Sequence, residues 1–154
     1  MKIPFAKEGF VFIIPLLTIT ILMFLLSFYW TAVFGGLGFL FVTWFFRDPE
    51  RHIPNEPNVI VSPADGKITE IVTEKEPING ELCKRVTIFL SIFNVHVNRV
   101  PIAGTIEEIR YNPGKFLAAF NPKASMDNEQ NIILINNGKT NVFVKQIAGL
   151  IARR

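Results

Sequence analysis

One cysteine, Cys83, and two histidines, His52 and His96, are all that this 154-residue chain offers a disulfide or a soft metal. A single thiol closes no intrachain bridge, which suits a reducing compartment. One thiol with two imidazoles, one of them in a proline-rich stretch, falls short of a zinc site, so no metal is expected. The sequence also lacks a P-loop and a dinucleotide fingerprint. It has no internal repeat and no low-complexity tract. The formal net charge of +3 is weak for a nucleic-acid partner, and none is expected. It suits the edge of an anionic leaflet, where each nearby Lys or Arg contributes about 1 kcal/mol.

The most informative absence is local. Residues 9–46 contain no Asp, Glu, Lys, Arg or His, whereas residues 47–154 carry 14 of the 16 basic and 12 of the 13 acidic side chains. The boundary falls at Phe46/Arg47. Between Phe10 and Phe28 there are 14 Leu, Ile, Val or Phe residues. At about −0.3 to −0.6 kcal/mol each they favour insertion by roughly 4 to 8 kcal/mol, enough to outweigh Pro15 and two threonines. The run is too long for a signal peptide's apolar region and lacks a small-residue cleavage site, so it is expected to stay in the mature protein. Thr31 to Phe46 is shorter and holds Gly35, Gly36 and Gly38. As a helix rising about 1.5 Å per residue it falls below the roughly 30 Å hydrocarbon core, which makes it the weaker second span. Phe28, Tyr29 and Trp30 would mark the turn at a water interface. Lys2 and Lys7 before the apolar region and Arg47 and Arg51 after it favour a hairpin with both ends cytoplasmic. One long tilted span and a re-entrant hairpin are the alternatives.

Pro49, Pro54, Pro57 and Pro63 forbid regular helix after Arg47 and predict an extended connector. Beyond it, apolar residues recur with a period near two, or in short β-branched runs, over residues 67–73, 85–91, 95–100, 104–111, 130–136 and 140–151. Six strands are therefore expected. Asn79-Gly80 and Asn137-Gly138 supply hairpin turns, and Asp65-Gly66 is a candidate third. Residues 115–129 break the pattern and read as a loop or short helix. The predicted fold is a mostly β soluble domain, antiparallel-rich and sandwich- or barrel-like, preceded by an N-terminal apolar α-helical hairpin. The predicted division is residues 1–46 as membrane anchor, 47–57 as connector and 58–154 as the β-rich domain.

Two titratable residues stand out between β-type segments: Asp65 in VSPADGKI and His96 in FNVHVNRVP. Each has a bland reading. Asp before Gly is most often a turn former that caps its own backbone. A lone strand histidine is more often structural, and Arg99 more often a solvated charge. Lys115 and Lys123 lie in the irregular segment, where a surface role is the commoner one.

The blocks VSPADGKI, FNVHVNRVPIAGTI, YNPGKF, KASMDNEQN and QIAGLIARR, in that order after an apolar hairpin, resemble the short-form phosphatidylserine decarboxylase proenzymes of bacteria and archaea. The archaeal version acting on archaetidylserine is hard to tell apart from these. The resemblance implies a proenzyme that cuts itself at a Gly-Ser bond and turns the new N-terminal Ser into a pyruvoyl cofactor, an electron sink for loss of carbon dioxide from the lipid's serine. Ser27, Ser62, Ser91 and Ser125 are the only serines here, and none follows a glycine. The pyruvoyl-forming Ser is thus expected beyond residue 154, the β-rich domain is expected to be incomplete, and the chain alone is expected to be inactive. Ile147 to Ala152 reads as a core strand lacking a closing partner, which favours a fragment.

Under that resemblance His96 and Asp65 become catalytic candidates. His96 would be the base for serine attack and the proton donor after decarboxylation, and Asp65 the group that fixes its tautomer and stabilises the imidazolium. Longer bacterial members carry a His-x-x-His whose second position here is Arg99, so Arg99 becomes a candidate for the substrate's phosphate or carboxylate. Lys115 is a second substrate-binding candidate, and Asn128-Glu129 a brace. The implied partners are a membrane phospholipid and the pyruvoyl-bearing C-terminal segment of the same proenzyme; a homodimer is compatible with the resemblance. The implied location is the cytoplasmic face of the cell membrane. The competing reading is a membrane-anchored, non-catalytic β-domain that serves as a scaffold or binding module.

Overall fold

The structure, a computed structural model, describes residues 4–56, 59–76, 78 and 80–152. Lys2, the expected domain start at Asn58, Asn79 of the first predicted turn, and Arg153 and Arg154 of the last motif block lie outside the described residues. The chain divides into two compact units. One comprises Met1–Ile53, Ala64–Gly66 and Leu90–Val97; the other comprises Pro54–Pro63, Lys67–Phe89 and Asn98–Arg154.

The first unit is built on α1 (Phe10–Leu25) and α2 (Tyr29–Phe45). Together with the short 3-10 turn before it, α1 forms one apolar helix over Lys7–Leu25, long enough to cross a membrane. α2, with 17 residues, is apolar and shorter than that 19-residue helix. The connection is tight: Ser27 takes φ +63°, its amide donates to Phe24 O at 3.0 Å, and the Phe28 amide donates to Met23 O at 2.9 Å. That is a Schellman ending with serine in the position glycine usually takes. Tyr29 and Trp30 consequently open α2 rather than lie in the turn. Gly35 lets the helices approach, since a Cβ there would fall 2.5 Å from Thr20 Oγ1. The chain entering α1 is tied to the chain leaving α2, with the Ala6 amide donating to Phe46 O at 2.9 Å and the Asp48 amide to Pro4 O at 2.7 Å.

The second unit holds two antiparallel sheets. β1 (Lys67–Lys75) pairs with β2 (Leu82–Phe89), and β3 (Thr105–Asn112), β4 (Gln130–Asn136) and β5 (Asn141–Ile147) form the order β3-β4-β5. β4 is the central strand and supplies the core through Ile132, Leu134 and Ile135. The β4–β5 turn has four residues rather than two. Gly138 takes φ +83°, while the Asn137 carboxamide oxygen accepts from the Lys139 and Thr140 amides at 3.0 and 2.8 Å. Gly80 at φ +76° lies in the β1–β2 connection. Residues 115–129 form a loop with the short helix α3 (Ala124–Asp127).

Five strands, not six, are present among the described residues, and each departure from the expected pattern has a local cause. The stretch 95–100 is not a regular strand. The Arg99 amide donates to Pro63 O at 2.7 Å and the Val61 amide to Pro101 O at 3.0 Å, a two-residue antiparallel spacing. Each pair lacks its return bond because residues 63 and 101 are prolines with no N–H, so the ladder is half made. Asp65-Gly66 likewise turns no hairpin; it runs from this half-ladder directly into β1. The final strand ends at Ile147: the Ala148 amide still continues the β4 register to Glu129 O at 2.9 Å, but the Glu129 amide turns away to Lys115 O at 2.9 Å, Asn128 Nδ2 donates to Ala148 O at 2.7 Å, and the Gly149 amide turns to Ala152 O at 2.8 Å. Leu150 and Ile151 are exposed, so 147–152 is not a core strand.

Candidate active site

Asp65 and His96 leave the half-ladder at the same end, two residues after Pro63 and three before Arg99, and both belong to the helical unit. His96 follows a turn in which the Ser91 amide donates to Asn94 Oδ1 at 2.8 Å and the Asn94 amide donates to Ser91 O at 2.9 Å. That turn aims the Asn94 carbonyl at the imidazole, with His96 Nδ1 3.0 Å from Asn94 O. A carbonyl oxygen only accepts, so Nδ1 carries the proton and the neutral ring presents Nε2 as an open acceptor. The carboxylate expected at Nδ1 is replaced by this backbone oxygen.

The ring is half-buried and stacks on Phe45, the last residue of α2, with centroids 4.4 Å apart and planes 24° from parallel. Burial pushes the imidazole below its ordinary value of 6.5. The Asn94 hydrogen bond opposes that shift, and the Arg47 charge adds to it. At neutral pH His96 is therefore uncharged and able to take a proton. Arg47 also fixes the loop mechanically. It donates to Trp44 O at 2.9 Å and to Phe93 O at 2.6 Å, and its guanidinium lies 4.2 Å from the Trp44 ring centre.

Asp65 is gripped by Arg51 through a forked contact, Nε to Oδ1 at 3.3 Å and Nη2 to Oδ2. The carboxylate holds the Arg51 guanidinium above its ordinary value. Arg51, Arg47, Phe45 and Asn94 are the residues sequence reasoning missed as site components. In the sequence the two arginines read only as topology charges. Phe45 was one of many helix aromatics, and a backbone carbonyl such as that of Asn94 leaves no signature in sequence.

Arg99 and Lys115 belong to the other unit. Arg99 is half-buried and anchored through its amide to Pro63. Lys115 Nζ lies 3.0 Å from Asp127 Oδ2, and its backbone bridges to Asp127 and Glu129. Asn128, the most buried large polar side chain, holds that loop. Its Oδ1 accepts from the Leu117 amide at 2.8 Å, and its Nδ2 donates to Leu117 O at 2.9 Å and Ala148 O at 2.7 Å.

Residues 39–154 match the family model for phosphatidylserine decarboxylase, a stretch that contains all four candidate residues. The chain belongs to the phosphatidylserine decarboxylase family. It is thus a member of a family of carboxy-lyases. It is 48% identical over 153 residues to a phosphatidylserine decarboxylase proenzyme of Syntrophus aciditrophicus, covering 97% of this chain and 71% of that protein. Against the proenzyme of Chlorobium chlorochromatii the identity is 50% over 125 residues, 81% of this chain and 59% of the relative. The Carboxydothermus hydrogenoformans proenzyme is 46% identical over 150 residues, 96% and 70% respectively. The chain is therefore shorter than these decarboxylase proenzymes, spanning 59% to 71% of their lengths. The first helix of the hairpin lies outside the family-model match but inside the alignment to the Syntrophus relative.

Proposed function

We propose that this chain supplies the proton-handling part of an enzyme that decarboxylates phosphatidylserine to the ethanolamine phospholipid, and that His96 is the group that moves the proton. The observation carrying this reading is the neutral, half-buried imidazole with Nδ1 committed to Asn94 O and Nε2 open. A base for serine attack and a donor to carbon both need a group that titrates near neutrality, and such groups contribute about 10²–10⁴-fold.

None of the four serines follows a glycine, so the serine that becomes the pyruvoyl group comes from a C-terminal segment outside these 154 residues, as the greater length of the relatives also suggests. The residues present fit such a group as its acid–base partners. When bound it supplies an electrophilic carbonyl that draws electrons as carbon dioxide departs. His96 Nε2 first takes the hydroxyl proton of the cleaving serine. It later returns a proton to the carbon that carbon dioxide has left. Phe45 excludes water from one face of the ring, and Asn94 keeps the tautomer that leaves Nε2 open. Asp65, oriented by Arg51, is the site carboxylate that stabilises the imidazolium. Arg99 binds the lipid's phosphate or carboxylate, and Lys115 does so once released from Asp127. The apolar hairpin holds the enzyme on the cytoplasmic face of the membrane, where the substrate is.

The test is carbon dioxide release from phosphatidylserine vesicles. The 154 residues alone release none. Fused after Arg154 to the part of the Syntrophus relative that follows the matched stretch, they cleave, lose ammonia from the new N-terminus by mass spectrometry, and turn over. In that fusion His96→Ala lowers maturation or turnover by about 10²-fold or more. Unchanged maturation and turnover in His96→Ala would make the imidazole structural.

A further inference from the structure

The loop that carries His96 has an apolar tip that the protein leaves uncovered. Phe93 is 67% exposed and Ile92 40% exposed in the chain as a whole, and the nearby Trp44 on the last turn of α2 is 55% exposed. These residues are not scattered. One guanidinium, that of Arg47, donates to the Phe93 carbonyl at 2.6 Å while lying over the Trp44 ring at 4.2 Å, so the tip is fastened to the end of the apolar helix. The His96–Phe45 stack fastens the other side of the loop to the same helix end.

Exposed Leu40, Phe41 and Trp44 line α2 up to that end, and Phe93, an exposed aromatic, is tied there through its carbonyl by Arg47. The chemistry of the junction is that of a bilayer boundary. A tryptophan lies at the end of an apolar helix, as interfacial tryptophans do, and an arginine reaches across it with an aliphatic stem and a charged head. A protein partner would have to cover the tip without disturbing lipid around the adjoining helix. The bilayer itself covers both at once.

We propose that Ile92 and Phe93 form a second membrane contact, inserting into the headgroup–acyl boundary beside the C-terminal end of α2 and so fixing His96, three residues further on, at the depth of lipid headgroups. The inference rests on the reading of the hairpin as a membrane anchor and adds to it. The hairpin alone fixes the loop to one helix end; the tip adds a second point of contact that sets its height and tilt. A lipid headgroup then reaches Nε2 without leaving the leaflet.

The experiment uses the unaltered chain in phosphatidylcholine nanodiscs, with doxyl-labelled phosphatidylcholine as a paramagnetic probe and amide NMR as the readout. The label sits near the headgroup in one sample and at the acyl terminus in the other. The acyl-terminal label broadens amides in the middle of α1, such as Leu17. The headgroup-proximal label broadens Ile92 and Phe93 several-fold more than it broadens Ile71, an equally apolar exposed residue on β1. Broadening of α1 with Ile92 and Phe93 no more affected than Ile71 overturns the second contact and leaves the anchor standing. Absence of broadening in α1 overturns the anchor and this inference together.

Discussion

The two units treat exposed apolar side chains in opposite ways. Along α1 and α2 most large apolar residues face outward, and only Ile13 and Ala32 are buried. In the β unit the central strand β4 is packed, while β3 beside it leaves Ile106 and Ile109 open and β1, in the other sheet, leaves Ile71 open. The first pattern fits lipid as the solvent, and the apolar helix over Lys7–Leu25 is long enough to cross a membrane. The second is that of sheets whose core is concentrated on one strand. Exposure figures alone do not separate the cases: Ile19 on α1 is 55% exposed and Ile71 on β1 is 58% exposed. The same substitution at both positions does. Ile19→Lys is expected to weaken membrane insertion by about 3 kcal/mol, the cost of a central lysine in a spanning helix. It should shift protein out of the carbonate-resistant membrane pellet, whereas Ile71→Lys should leave the pelleted fraction unchanged. Equal behaviour at the two sites would erase the distinction between the units.

A comparable loss is expected inside the β unit. Leu134→Ala, on buried β4, should cost about 2–5 kcal/mol, because the vacated volume is only partly refilled. Ile109→Ala on the open face of β3 should cost far less, and the contrast is read from hydrogen-exchange protection of β4 amides. Asn128→Ala comes next. Loss of its three hydrogen bonds leaves the Leu117 amide and two carbonyls without partners, at about 1–3 kcal/mol. Exchange should rise first in residues 115–129, and uniform acceleration across the β unit instead would show that Asn128 supports the whole sheet.

Much of the fold was legible because hydrophobic patterning carries it. The charge-free run gave the hairpin, and alternation gave all five strands to within a few residues at either end. The failures are instructive. The apolar alternation of residues 95–100 promised a strand, but the deciding chemistry lay on the opposing segment, where Pro63 could not return a bond to Arg99; Pro101 fails Val61 in the same way. The apolar block after Ile147 promised a core strand, yet after one more rung the Glu129 amide leaves for Lys115 O and the Gly149 amide turns to Ala152 O. For the site, Asp65 and His96 could be singled out by residue type and neighbours, and both fall in one unit. Their immediate partners could not be foreseen. Asn94 acts through its backbone, and Arg51 reaches Asp65 across 14 residues of proline-interrupted chain.

The smallest expected effect is also the most diagnostic. Because burial holds the folded imidazole below 6.5, the unfolded chain binds more protons than the folded one in the interval beneath that pH. The neutral ring's contribution to stability is therefore complete above about 6.5 and is lost as pH falls through the folded midpoint. Phe45→Ala, which opens one face of the ring to water, should move that midpoint back toward 6.5.

The central claim, that His96 is a neutral base with Nε2 open, is tested most directly by nitrogen NMR of the imidazole through a pH titration of the unaltered chain in nanodiscs. A proton on Nδ1 in the neutral form and a midpoint below 6.5 are the predicted results. A proton on Nε2, or a midpoint above 6.5, would contradict it.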